Sequence, residues 1–198
     1  MQLVVDHLAC RRAGRHVFQG VSFAIGPGEA VAVTGRNGAG KSTLLAAIAG
    51  LIRREGGDIR ASGIGERTLP ESLHFVGHRD GLKPSLTAEE NLRFAAELLG
   101  QAALVPADAL ARVGLRGGAD LPVAYLSAGQ RRRVALARLL VARRPLWLLD
   151  EPLTALDTAG QALLAGIMAE HLADGGLILA ATHAPLPIEG ARELRLDA

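Results

Sequence analysis

The chain has 198 residues, 49% of them hydrophobic and only 3% aromatic, enough apolar material for one domain, or one with a small lobe, built on Ala, Leu, Val and Ile. Its 22 basic residues stand against 20 acidic ones, and the net charge of +2 makes too weak a field to imply a nucleic-acid partner. The single cysteine, Cys10, excludes an internal disulfide or a cysteine-based metal site; the N-terminus lacks the basic-then-apolar pattern of a secretory signal, and no apolar run reaches the ~18 residues of a membrane span. A soluble, cytosolic chain is expected, able to sit on a membrane only through a partner.

Short strand-like runs alternate with helix-like segments, which predicts an α/β fold. Leu3 to Ala9 and Val21 to Ile25 read as early strands, and Pro27-Gly28 as a turn leading into a third strand, Ala30 to Thr34. A helix is predicted from Lys41 to Ala49, stopped by Gly50, and short strands over Asp58 to Ala61 and His74 to Gly77. The texture then changes. Thr87 is a good N-cap with Glu89 and Glu90 in the first turn behind it, and Leu92, Ala95, Ala96 and Leu99 keep helical spacing. Pro106 opens a further helix that Gly114 closes. This stretch reads as a helical subdomain at about 85–142, inserted between two halves of a sheet, with Ser127 capping its last helix. A strand from Leu146 to Asp150, a helix from Thr158 to Ala173 and a strand from Leu177 to Thr182 follow.

Gly35-Arg36-Asn37-Gly38-Ala39-Gly40-Lys41-Ser42, with Thr43 after it, matches G-x-x-x-x-G-K-[ST] in full. It lies between a predicted strand and a predicted helix, the context the motif requires. Glycines let the backbone curl until several N–H groups face phosphate oxygens. The helix N-terminus behind them is electropositive. Lys41 can reach the β- and γ-phosphates, and the Ser42 hydroxyl can ligate Mg²⁺. Only Lys41 and Lys83 among the basic residues are lysines, and one stands where a point charge is wanted. ATP and Mg²⁺ are the expected ligands.

Leu146-Trp147-Leu148-Leu149-Asp150-Glu151 is an apolar strand ending in two carboxylates, the form of a Walker B strand. Asp150 would hold Mg²⁺, and Glu151 would orient or deprotonate the attacking water. His183, after the last predicted strand, would donate to the γ-phosphate and position Glu151. A lone histidine at a strand end is more often structural; here a neighbouring strand would place it on the same nucleotide edge. Lys41, Glu151 and His183 are therefore the catalytic candidates, and Ser42 and Asp150 the metal ligands.

Leu126-Ser127-Ala128-Gly129-Gln130 resembles the L-S-G-G-Q signature of ATP-binding cassette (ABC) ATPases, and Thr154-Ala155-Leu156-Asp157 resembles the loop that crosses their dimer interface. The resemblance spans nearly the whole chain. It implies a P-loop NTPase of ABC type over 1–198 with a mixed sheet core and a helical subdomain. It also implies a head-to-tail homodimer in which Ser127, Gly129 and Gln130 complete the nucleotide site of the opposite subunit. Two positions depart from the family pattern. Arg12 stands near the place of an adenine-stacking aromatic, and His78 replaces the glutamine of the loop that contacts Mg²⁺ and couples to membrane partners.

Val76-Gly77-His78, Gly81-Leu82-Lys83 and Leu86 to Leu92 resemble one branch, the ATP-binding subunit of the haem exporter of cytochrome c maturation. That resemblance implies integral membrane exporter subunits as partners, a haem chaperone served indirectly, and residence on the cytoplasmic face of a bacterial inner membrane. An exporter of another substrate would use the same machinery. A soluble ABC ATPase acting on ribosomes or nucleic acid would need fused cassettes, coiled-coil arms or a basic patch, which the sequence lacks. A nucleotide sensor without turnover conflicts with Glu151. Cys10, His7, His16 and His74 form no recognisable ligand motif and are expected to be inert or structural.

Overall fold

A computed structural model describes residues 1–100, 102–115, 117 and 120–196 of the chain. The elements in order are β1 (Gln2–Arg12), β2 (Arg15–Ile25), β3 (Ala30–Thr34), α1 (Lys41–Ile48), β4 (Gly56–Ser62) and β5 (Leu73–Val76). Then come α2 (Ala88–Leu99), α3 (Pro106–Arg112), α4 (Ala128–Val141), β6 (Leu146–Asp150), α5 (Thr158–Ala173), β7 (Leu177–Ala181) and β8 (Arg192–Arg195). They form two compact units. One comprises Met1–Gly77, Pro145–Pro152 and Met168–Ala198, the other His78–Arg144 and Leu153–Ile167.

The first unit holds two sheets, an antiparallel one in the order β2-β1-β4 and a parallel one in the order β5-β6-β7-β3-β8. β6 and β7 are buried along their whole length, as parallel strands covered on both faces must be, which is why they read as unbroken apolar runs. Leu44, Leu45 and Ile48 of α1 join Val31, Val33, Leu146, Leu148, Leu177 and Leu179 in one core.

The β1–β2 hairpin runs well past its expected ends. Ala13 and Gly14 both take positive φ (48° and 79°), the pairing that closes a two-residue hairpin. The extension was hidden because Arg11, Arg12, Arg15 and His16, all exposed, break the apolar alternation on the wet face. β8 went unread for a related reason: Arg-Glu-Leu-Arg carries one apolar residue, and only pairing with β3 makes it a strand.

In the second unit α2 and α3 pack on α4 and on each other. Thr87 and Glu90 make a reciprocal capping box at the start of α2. Behind the cap, Asn91 is buried and pins the preceding loop. Its Oδ1 accepts from the Lys83 N–H at 2.8 Å, and its Nδ2 donates to the carbonyls of Lys83 at 3.1 Å and Thr87 at 2.9 Å.

Trp147 of β6 stacks on His171 of α5, ring centroids 3.7 Å apart and planes 7° from parallel. The stack is close-packed: a Cβ on Gly176 would fall 2.3 Å from the imidazole. Burial is the main cause that pushes the His171 pKa down from 6.5 to about 4, against weaker opposing hydrogen bonds with the Leu177 and Pro145 backbone and the charge of Asp174. The folded protein thus holds His171 neutral at pH values where the unfolded chain protonates it. Its contribution is fully present above pH 6.5 and is lost as the pH falls through that value toward 4. A loss of about 3 kcal/mol of unfolding free energy is expected across this window. Denaturant titrations followed by circular dichroism should show it, and His171→Phe should flatten the profile there. An unchanged slope in that variant would show that other groups set the acid sensitivity.

Candidate active site

Spatial order builds the site. β7 lies between β6 and β3, so the loops leaving the carboxyl ends of three adjacent parallel strands converge on one edge, where α/β sheets carry their ligands. From β3 comes the P-loop. Gly38 and Gly40 take φ of 85° and 97°, a region L side chains rarely adopt, and a Cβ on Gly40 would fall 2.6 Å from the Val17 side chain. α1 starts at Lys41 with no side chain capping it, whereas α2 and α4 each carry a capping box. The first turn of α1 therefore offers its backbone N–H groups to a ligand, in the field that favours phosphate.

The Lys41 side chain is buried. Its Nζ donates to the carbonyls of Gly35 at 2.9 Å and Arg36 at 3.3 Å, so the ammonium is held inside the loop it would share with a phosphate. From β6 come the two carboxylates. Asp150 is buried and accepts from the Ser42 hydroxyl at 2.9 Å. That hydroxyl and carboxylate form the oxygen pair that a hard cation such as Mg²⁺ takes, with phosphate and water filling its other positions. No cluster of three or more His, Cys, Asp or Glu fit to hold a metal alone occurs among the described residues.

Among the described residues, Glu151 is one of four non-glycine residues with positive φ, at 48°. Such strain is held where surrounding structure over-determines it and clusters at functional sites. Here the Glu151 N–H still donates to Ala181 O at 2.8 Å, extending the β6–β7 register one residue past the strand and fixing where the carboxylate leaves the sheet. From β7 comes His183, whose Nε2 lies 3.3 Å from Glu151 Oε1 and 3.4 Å from Lys41 Nζ. A neutral ring can use that nitrogen to donate to the carboxylate or to accept from the ammonium, one at a time.

Lys41, Ser42, Asp150, Glu151 and His183 are thus brought together within the first unit, with Gly35, Arg36, Asn37, Gly38, Ala39, Gly40 and Thr43 on the same loop and helix start. His78, Ser127, Gly129 and Gln130 belong to the second unit. His78 and Ser127 are exposed. Ser127 Oγ accepts from Gln130 N at 3.2 Å while Gln130 Oε1 accepts from Ser127 N at 2.8 Å; the serine hydroxyl keeps its own hydrogen to donate.

The sequence reading missed Asp80 and Arg132, which form an ion pair at 3.5 Å, the arginine buried. Three successive arginines, Arg131 to Arg133, at the head of a helix with an apolar face were the available signal. Of the unassigned groups, Cys10 and His74 are buried, and His7 and His16 lie on the surface.

The family model described as ABC transporter matches residues 18–154, a span holding the P-loop, the Ser127 to Gln130 segment and the Asp150-Glu151 strand end. The chain belongs to the ABC transporter family. It is an ABC-type ATPase, binding and hydrolysing ATP. The cytochrome c biogenesis ATP-binding export protein CcmA of Bradyrhizobium diazoefficiens is 56% identical over 197 residues, 99% of this chain and 98% of that protein. Among solved structures, an ATP-binding subunit of an ABC transporter superimposes with a TM-score of 0.82 at 30% identity, over 92% of this chain and 80% of that one. The ATP-binding cassette MJ0796, described as a dimer in a post-hydrolysis state with ADP and Pi, gives a TM-score of 0.77 at 26% identity, over 92% of this ABC chain and 88% of its own. No helix among the described residues is long and apolar enough to cross a membrane.

Proposed function

We propose that this ABC ATPase is the energy-supplying subunit of a membrane export complex that serves cytochrome c biogenesis, acting in haem export or in release of a haem-carrying chaperone. The near-full-length 56% identity to a cytochrome c biogenesis export protein carries that assignment. The whole chain is one ABC domain with a helical subdomain at about 85–142, a stretch that falls within the second compact unit. Two chains work head to tail, each P-loop completed by Ser127, Gly129 and Gln130 of the other. The complex keeps this subunit on the cytoplasmic face of the inner membrane, through integral partners that the loop after His78 would address.

In this reading the P-loop N–H groups and Lys41 bind the β- and γ-phosphates. Ser42 and Asp150 would hold Mg²⁺, which would neutralise charge on the phosphate oxygens. Glu151 orients the attacking water and draws its proton as the water adds in line to the γ-phosphorus and the bond from that phosphorus to the bridging oxygen of the departing ADP breaks. His183 stops contacting Lys41 and gives the one N–H of its neutral ring to the γ-phosphate, beside the Glu151 carboxylate. His78 contributes from the loop where the wider family has glutamine.

The test is complementation. A bacterium lacking its own CcmA should recover covalently haem-stained c-type cytochromes when it expresses this chain, and should fail to with Glu151→Gln. An actively hydrolysing wild-type chain that restores no c-type cytochrome would move the assignment to another exporter.

A further inference from the structure

Neighbouring residues on an α-helix point ~100° apart, so two adjacent arginines can hold two different loops. α4 does this directly behind the Ser127–Gln130 segment. Arg132, buried, pairs with the Asp80 carboxylate at 3.5 Å. Further along the helix, Arg138 donates to the Asp80 carbonyl at 3.2 Å. The loop after His78 is thus held by both side chain and backbone of one residue.

Arg133 points elsewhere. Its guanidinium donates to Asp157 Oδ1 at 2.5 Å and to the Val113 carbonyl at 2.8 Å. Glycines clear its path: a Cβ on Gly114 would lie 2.5 Å from Arg133 Nη1, and one on Gly160 2.9 Å from Nη2. A third glycine brings the loop after Glu151 against the helix start, since a Cβ on Gly129 would meet Ala155 O at 2.9 Å. Ala155 itself holds a φ of 64°.

The charge pair with Asp157 does not by itself account for this arrangement. The Asp157 side chain is 69% exposed, and exposed ion pairs contribute little. Two glycines against one guanidinium, and a third against the loop that carries the strained Ala155, instead fix a position. We propose that Arg132 and Arg133 are positioning residues that make α4 a beam. It binds the loop after His78 and the loop after Glu151 into one body, so both follow the Ser127–Gln130 segment when ATP closes two chains. This rests on the two-chain site proposed above.

The test compares steady-state ATP hydrolysis by the full-length chain with Asp80→Asn, Asp157→Asn and the double variant. Asparagine at 157 keeps the cap on the Gly160 N–H and removes the charge. Each single change should lower kcat about tenfold with KM for ATP moved less than about twofold. Melting temperature should shift by no more than a few degrees. The double variant should be no slower than the slower single one, because a beam released at one end no longer carries motion to the other. Arg133→Lys should recover a large part of what Arg133→Ala loses. Unchanged kcat in the single variants, losses that multiply in the double, or losses that track the unfolded fraction would each overturn the proposal. A wild-type chain that hydrolyses ATP only as a monomer would instead remove the two-chain reading beneath it.

Discussion

Replacing Glu151 with glutamine is expected to lower ATP turnover at least about 100-fold, the range lost when a positioned general base is removed, while ATP still binds. The geometry says why the two effects separate. Glu151 lies outside the Gly35 to Ser42 loop. It leaves the sheet one residue beyond β6, fixed by its N–H on Ala181 O and facing His183 across 3.3 Å. Glutamine preserves the shape of the side chain but removes its charge and its capacity to accept a proton. Phosphate release and equilibrium ATP titration on the same preparation check this. The bound nucleotide should accumulate as ATP, and the chain should sediment as a dimer. Hydrolysis within a fewfold of wild type would take the base role from Glu151.

Lys41→Ala is expected to act one step earlier, weakening ATP affinity about 10- to 100-fold through loss of a charged hydrogen bond to phosphate and removing turnover with it. The side chain has two jobs. It would supply the ammonium for the β- and γ-phosphates, and its hydrogen bonds to the Gly35 and Arg36 carbonyls tie the loop together. Direct titration with ATP should show the affinity loss, and circular dichroism should show an intact fold. Full affinity in the variant would mean that the backbone N–H groups and the α1 dipole bind phosphate by themselves. Lys41→Arg should not restore turnover, because the broader guanidinium does not fit the space the loop closes around the ammonium.

Most elements were legible because their signals are local. Ala30 to Thr34, Leu146 to Asp150 and Thr158 to Ala173 appear at the bounds read from apolar runs and turn residues. Thr87 and Ser127 do cap their helices, each in a capping box. What stayed hidden depends on pairing across distance. β8 has one apolar residue and exists because β3 offers it an edge. The long hairpin has a polar face that masks its strands. Asp80 and Arg132 are both ordinary surface residue types by composition; their meeting is made by the packing of the second unit.

The sequence by itself determined which chemical groups this ABC ATPase possesses: the glycine-rich loop with Lys41 and Ser42, the Asp150-Glu151 strand end, and the Ser127 to Gln130 segment. Each is a contiguous motif whose residues are held by their own neighbours. Only the tertiary structure decided how the groups meet. In chain order β3 comes first, β6 much later and β7 last, but in the sheet β7 lies between the other two. That strand order puts Ser42 on Asp150 and sets His183 between Lys41 and Glu151. Strand order follows from which apolar faces can be buried together across long stretches of chain, and no local motif encodes it.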